Sequence, residues 1–457
     1  MTPPISILFL NPDPRPNAGS NLSLLSLISG LDARFHAVVA TPANGEFAGI
    51  LRAQQIEVVE YSTNNWWYPN QDHFFRAAAG FQTRIQYLTD LIQDRQLQLV
   101  HPNAEYAFEG ALAATRVGVP HIWNIRQIFG ADMDILRFFP LSPQALGDMM
   151  ARLSDLIVPN SHPLIGTFPV SIPQEKFRVI ASGINFVHPP DKSLSRTALL
   201  RRLNLSGDVH IIISMGRISP EKDLGTFIET ARKLVRLPRR QPIHFVHFGS
   251  ISSAPYYEQL QNSLGELSQF VTFAGPTDTP LEMLRGADLL LFTSLFFEGL
   301  ARVCLEALSM TLPVVATRCL GPEEYLLHGE TALLAAVGDV DTLAEHVATL
   351  LDDPGYADQL AQNGYRLVTA NYNAERVCAQ WMQLYDELLT IQRPQSASLA
   401  AVEVAINLIS LCGQLGERQA QQDKQLRTLE QFHQHLYSPI RYSKKLIKKL
   451  NPFSRGG

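Results

Sequence analysis

The chain has 457 residues, 46% of them apolar and 18% charged, with a formal net charge of −5. That length exceeds one ordinary core and predicts two domains plus extra segments; the composition excludes a disordered chain, and the mild acidity excludes the basic footprint of a nucleic-acid partner. Cys304, Cys319, Cys378 and Cys412 lack metal-type spacing, which argues against a disulfide framework and for a reducing cytosol.

Ile5–Leu10 reads as a first strand and not a signal peptide, because no basic region precedes it and asparagine and prolines follow at once. No stretch approaches the length of a membrane-spanning helix. A loop over 11–21 follows, and then Leu22, Leu25, Ile28 and Leu31 recur at helical spacing. Further strands are expected at His36–Thr41, Ile56–Tyr61, Leu97–His101, His121–Ile125 and Leu156–Pro159, with helices at Phe81–Gln93 and Ala107–Arg116 among them. Phe177–Ile180 closes this half, and Asn185–Asp191 reads as a linker. A second series has strands at His210–Ser214, Ile243–Phe248, Phe270–Phe273, Ala287–Thr293 and Pro313–Thr317. Its helices are expected at Leu224–Leu237, Tyr256–Leu267, Thr279–Arg285, Glu306–Met310, Val340–Leu351 and Tyr356–Ala370, and a last one at Ala374–Thr390. Strands alternating with helices predict an α/β fold of two doubly wound parallel sheets with a cleft between them.

The remainder differs in character. Gln392–Ser398 reads as a linker, followed by an apolar helical stretch at Leu399–Leu415 and a glutamine-rich one at Gln419–Tyr437. The second could pair with a partner or with itself. Arg441, Lys444, Lys445, Lys448, Lys449 and Arg455 follow without any acid, with Leu446, Ile447 and Leu450 among them. Such a segment suits an anionic membrane surface, and equally a solvated terminus.

Several post-strand loops carry candidate chemistry. Gly216-Arg217, with Lys222 five residues on, follows the strand at His210–Ser214; a planar guanidinium and a compact ammonium there can both reach one pyrophosphate. Glu298 and Glu306 have seven residues between them, and Gly299 follows the first. Were that stretch all helical, the two acids would lie about 12 Å apart, far enough to face opposite ends of one ligand. Acids are also ordinary near helix starts. The loop Asn17–Asn21 contains Gly19, whose neighbouring N–H groups could cradle a phosphate, or it is a plain capping loop with Ser20 or Asn21 as the cap. Trp123-Asn124-Ile125-Arg126-Gln127 ends another strand, His101 reads as a core or edge histidine, and Ser182–Asn185 as a tight turn.

In combination these features resemble the retaining glycosyltransferases of family 4, with the two-domain GT-B fold. The resemblance spans roughly residues 5 to 390. It rests on Gly216-Arg217-Ile218-Ser219-Pro220-Glu221-Lys222, on Glu298-Gly299 through Glu306-Ala307-Leu308, on Gly329–Leu334 and on Gly338-Asp339 through Leu351–Pro354. It implies an acceptor domain at 1–190, a nucleotide-sugar donor domain at 191–372, a closing helix at 373–391 and a helical, basic tail at 392–457. It also implies that Arg217 and Lys222 bind the donor diphosphate, that Glu306 holds the ribose and that Glu298 lies near the transferred sugar. Gly216, Gly299, Leu300 and Ala301 would bring backbone to the donor, with Gly19 across the cleft.

Two departures stand out. Where many members of the family carry a histidine followed by an acid, this chain has Arg126 and Gln127, with Asn124 before them. A second glycine often follows the first acid, where this chain has Ala301. The expected reaction moves a sugar from a nucleotide donor to a glycan, lipid-linked or other hydroxyl acceptor, with retention. It needs no cofactor or metal, since the two cations face the diphosphate. A sugar-nucleotide epimerase of the same fold and a non-catalytic glycan-binding protein are the alternatives. A cytoplasmic protein, peripheral at the membrane face through its tail, is expected.

Overall fold

The computed structural model describes residues 3–391, except 17, 62–77, 79, 104, 106, 130–141, 187, 239–240 and 296–297, and beyond 391 only residues 407 and 418. The first half builds strands β1 (Ile5–Leu10), β2 (Phe35–Thr41), β3 (Glu57–Glu60), β4 (Leu99–Pro102), β5 (Ile122–Ile125) and β6 (Leu156–Pro159). The first four pair in the order β3-β2-β1-β4 and the last two pair together, all in parallel. A parallel bridge between Val100 and His121 joins the two groups. β1 buries Ile7 to Leu10 completely, as a strand covered by helices on both faces must.

The second half repeats the plan. Strands β7 (His210–Met215), β8 (Ile243–Phe248), β9 (Val271–Gly275), β10 (Leu289–Phe292), β11 (Val314–Thr317) and β12 (Leu333–Ala335) pair in parallel in the order β12-β11-β10-β7-β8-β9. Both halves are Rossmann-like domains in which chain order reverses beside the first strand, and there the C-terminal strand ends leave a crevice. The expected strands are all present to within about two residues, the ordinary disagreement at element ends. β12 was not foreseen; three residues beside the glycine turn at Gly329 give too short a pattern to read.

The chain passes between domains twice, and the two passages lie side by side. Ile184 N–H donates to Tyr372 O at 2.9 Å, and Ala374 N–H donates to Ile184 O at 3.0 Å. Helix Ala374–Thr390 then returns to the first domain. It buries Val377, Cys378, Trp381, Leu384, Tyr385 and Leu388 among Ile7, Phe9 and Leu24. That stripe recurs every three to four residues, the spacing of one buried helix face. Tyr385 Oη lies 2.8 Å from Nδ1 of His101, whose ring packs 4.5 Å from Trp381. Burial pushes the His101 pKa well down, so the ring is a neutral core group, as expected of it.

Two local expectations are corrected. The helix after Glu298 is Arg302–Ser309, so Glu306 lies inside it and does not open it. The early start escaped notice because its cap is Ala301, with no side-chain capping bond. Neither Ser20 nor Asn21 caps the first helix, which is Gly19–Ser29 with Ala18 before it. Asn21 instead folds the preceding loop, its Nδ2 donating to Asp13 O at 2.8 Å and Arg15 O at 2.7 Å. The linker, helical and basic segments expected beyond 391 lie outside the described residues, apart from Asn407, whose side chain accepts from Gln82 at 2.8 Å, and Arg418. Among the described residues no helix is long and apolar enough to cross a membrane.

Candidate active site

The C-terminal ends of β7 and β10 place the expected cations and the first acid together. β7 ends at Met215, and Gly216 follows with φ of +151°, which a side chain would resist. The Gly216 carbonyl accepts from Nε2 of His247 at 3.0 Å, and Nδ1 of the same ring lies 3.2 Å from Ser214 Oγ. A carbonyl only accepts, so Nε2 carries the proton. Burial pushes His247 down to about 4, and it stays neutral near pH 7. A 3-10 turn, Pro220–Lys222, then leads into helix Leu224–Leu234, capped by Asp223. Lys222 thus stands directly before a helix N-terminus, where backbone dipoles favour an anion.

From β10, Thr293 Oγ1 donates to Lys222 O at 3.1 Å and Leu295 N–H to Glu221 O at 2.9 Å, which laces the two loops together. Glu298 Oε1 accepts from Ser294 Oγ at 3.0 Å and contacts Lys222 Nζ. Their side chains are 16% and 20% exposed, so the pair is partly desolvated and open to the cleft. Arg217 pairs with Glu221 at 3.1 Å and reaches Ser252 Oγ at 3.4 Å. Among the described residues no group of three or more His, Cys, Asp or Glu is arranged to hold a metal.

The strip 298–301 lies between two pieces of backbone. A Cβ at Gly299 would sit 2.0 Å from Arg126 O in the other domain, and a Cβ at Gly321 1.6 Å from Gly299 O. Only glycine permits both approaches. Tyr325, fully buried, holds the end of the strip: its Oη lies 2.5 Å from Leu300 O and 3.0 Å from Ala301 O. Beneath it Cys319 Sγ donates to Ser294 O at 3.1 Å, and burial raises that thiol to about 12.

Ala301 itself has φ +47° and ψ +71°, the left-handed region. Here is the physical reason a glycine would suit this position, and the cost of alanine is on the order of 1 kcal/mol. Ala301→Gly is expected to keep or raise stability by up to about 1 kcal/mol, against the usual penalty for adding glycine. Denaturant melts of the two proteins check this; a clear loss of stability would mean that the alanine methyl packs more than the strain costs.

Glu306 is placed apart from Glu298. Its Oε1 accepts from Arg302 Nε at 2.7 Å, and its side chain is 14% exposed. Arg302 also reaches the first domain, with Nη1 3.4 Å from Ser23 Oγ and 3.2 Å from Gly183 O. Ser23 Oγ donates to Gly19 O at 2.9 Å, so Gly19 stands one helical turn from this contact. Gly19 opens the first helix and has open space where a Cβ would lie.

Arg126 follows β5 in a partly buried polar network. Nε donates to Asn103 O at 3.1 Å, Nη2 to Asn103 Oδ1 at 2.9 Å and Nη1 to Ser182 Oγ at 3.0 Å. Its backbone N–H lies 3.4 Å from Glu105 Oε2, and burial raises the Glu105 pKa. Asn124 Nδ2 lies 3.1 Å from Nε2 of His101, which gives the altered stretch at 124–127 a structural role. Arg126, Asn124, Ser23, Ser182 and Gly183 border a small cavity shared with helix Ala374–Thr390, which neither Lys222 nor Glu298 lines. The sequence reading missed Asn103, Ser294, Tyr325 and Arg302. Ser294 was signalled by its place just past β10, and Arg302 by its place between the two acids; Asn103 and Tyr325 sit in no motif.

Residues 195–367 match the family model described as Glycosyl transferases group 1. The chain is similar to the lipopolysaccharide core biosynthesis glycosyltransferase LpsE of Rhizobium meliloti, 28% identical over 183 residues, 40% of this chain and 52% of LpsE. It is similar also to alpha-D-kanosaminyltransferase of Streptomyces kanamyceticus, 30% identical over 200 residues, 43% of this chain and 50% of that protein. The chain therefore spans about half the length of these curated relatives. Among solved structures, Anabaena Alr3699/HepE in complex with UDP and glucose superposes with a TM-score of 0.69 at 20% identity, over 83% of this chain and 99% of that one. At that identity the likeness concerns the fold, and it bears out the GT-B architecture of two Rossmann-like domains.

Proposed function

We propose that the protein is a glycosyltransferase that takes a sugar from a nucleoside-diphosphate sugar and passes it, with retention and without a metal, to a hydroxyl of a glycan or lipid-linked acceptor. The observation that carries this is the meeting of Lys222 and Glu298, 76 residues apart in sequence, at neighbouring strand ends of the domain whose residues match the group 1 family. Partly buried carboxylates and ammoniums at a crevice edge are poised for an anionic substrate that replaces one partner.

In this reading the donor diphosphate lies over the N-terminus of helix Leu224–Leu234, taken by Lys222 and Arg217. As the bond between sugar and diphosphate breaks, negative charge grows on the leaving phosphate. Fixed cations and N–H groups stabilise that charge without reorganising. Glu298, released from Lys222, turns to the sugar. The departing phosphate oxygen takes the acceptor proton on the same face, and no protein nucleophile is used. Glu306 accepts from the ribose. Arg126 lines the acceptor side, with the Gly19 helix across the cleft. The contact of Gly299 with the Arg126 carbonyl supports closure that excludes water.

Purified protein incubated with labelled UDP- and GDP-sugars and lipid or glycan acceptors tests the proposal. Transfer supports it; free epimerised sugar nucleotide would replace it with an epimerase; no nucleotide binding by calorimetry would overturn both. The two acids separate further. Glu306→Ala is expected to weaken nucleotide binding about tenfold, the worth of one charged hydrogen bond. Glu298→Ala is expected to leave that binding near wild type and lower turnover more than tenfold, since it acts at the sugar. Equal effects of both on binding would remove the division of roles.

The six basic residues from Arg441 to Arg455 support docking on an anionic, cytoplasmic membrane face, where a lipid-linked acceptor would be found. Full-length protein is expected to co-sediment with anionic liposomes in low salt, and a chain ending at 392 is not. Equal pelleting rejects docking by the tail.

A further inference from the structure

Arg302 is the first residue of helix Arg302–Ser309, and its guanidinium faces two ways at once. Nε donates to Glu306 Oε1 at 2.7 Å within its own domain. Nη1 reaches Ser23 Oγ and Gly183 O, the first on the opening helix of the other domain and the second beside the paired passages at Ile184 and Asn373. We propose that Arg302 is a positioning residue that couples nucleotide occupancy at Glu306 to the seating of the two domains against each other. The inference rests on the reading of Glu306 as the ribose-holding acid.

The geometry supplies the reason. Glu306 Oε1 is taken by Arg302, while Oε2 has no protein partner among the described residues. The carboxylate is therefore held with one oxygen presented. A ribose offers two adjacent hydroxyls. One donates to Oε2, and the other to the second lone pair of Oε1, beside Nε. Bracketed between ribose and guanidinium, the carboxylate fixes Nε and with it the Nη1 contacts to Ser23 and Gly183. Arginine can serve both sides because its donors form a rigid fork; lysine, a point charge on a flexible stem, cannot. The side chains are 20% and 14% exposed, so solvent screens the pair only in part. Linkage makes the effect reciprocal: if nucleotide strengthens the contact across the domains, closure strengthens nucleotide binding by the same factor.

The test uses the full chain with UDP and GDP as probes, calorimetry for affinity and small-angle scattering for the radius of gyration. Wild-type protein is expected to bind one nucleotide and become more compact. Arg302→Gln is expected to bind about tenfold more weakly, the loss of one charged hydrogen bond, and to lose the compaction. Its effect on affinity is expected to vanish in a Glu306→Gln background, which a merely structural role would not produce. Arg302→Lys keeps a cation beside Glu306 without the fork, and serves if the glutamine variant does not fold. It is expected to bind within about threefold of wild type and yet lose the compaction. Wild-type binding without compaction, or compaction unchanged in both variants, overturns the coupling alone. Wild-type protein that binds neither nucleotide overturns the donor reading and the coupling with it.

Discussion

Lys222→Ala is expected to lower donor turnover by about two to three orders of magnitude, the usual loss when one preorganised donor is removed from a site of developing negative charge. Lys222 is not a core residue. Its ammonium contacts Glu298 and stands over the rim of Phe292, 6.0 Å from the ring centroid, while Thr293 holds its backbone carbonyl. The substitution leaves the β7 and β10 loops tied through Thr293 and through Leu295, whose N–H donates to Glu221 O. A melt close to wild type should therefore accompany the lost rate. Lys222→Arg should recover only part of it, because a planar fork needs a wider seat and Arg217 already occupies the neighbouring one. Initial rates at saturating donor decide the matter. A rate within threefold of wild type would mean that the diphosphate is held elsewhere.

The second large effect is expected at Gly299. Gly299→Ala places a methyl 2.0 Å from the carbonyl oxygen and 2.8 Å from the carbonyl carbon of Arg126, and 3.0 Å from Asn160 Oδ1. Asn160 Oδ1 is the end of a side chain, but the nearer Arg126 atoms are backbone of the other domain and cannot turn aside. Retreat is blocked behind the strip, where Gly321 already abuts Gly299 O. The domains must part by about an ångström, and a displacement of that size in a reacting geometry costs on the order of 100-fold in rate. The direct nucleotide contacts sit within one domain, so kcat should fall by more than nucleotide Kd rises, the rise being no greater than the about tenfold lost with the seating of the domains. Gly49→Ala serves as the comparison. It lies within helix Glu46–Ala53 with open space at its Cβ, and should stabilise by up to about 1 kcal/mol. Transfer at the wild-type rate by Gly299→Ala would show that the close approach of the domains is not used in catalysis.

Much of this protein is legible along the chain because its signals are local. A parallel strand covered on both faces is a near-continuous apolar run, so β1 and β7 declare themselves through Ile7–Leu10 and Ile211–Ile213. A diphosphate loop likewise needs its glycine, arginine and lysine within a few residues, and the expected Gly216, Arg217 and Lys222 stand together after β7. The spacing of Glu298 and Glu306 also lies within one segment. What the spacing misjudged was the backbone between them, because a helix cap made by a left-handed alanine leaves no side-chain signature.

Tertiary structure decided the rest, and always across long separations. Glu298 finds Lys222 because β10 lies beside β7 in the sheet. Gly299 must be glycine because of Arg126, 173 residues earlier in the chain numbering. Arg302 reaches Ser23 and Gly183, and helix Ala374–Thr390 closes the first domain's core with Trp381 and Tyr385. Periodicity and motif spacing report what a residue does for its own element. Which partner a glycine must admit, or where a guanidinium divides its bonds, is set only when the two domains are brought face to face.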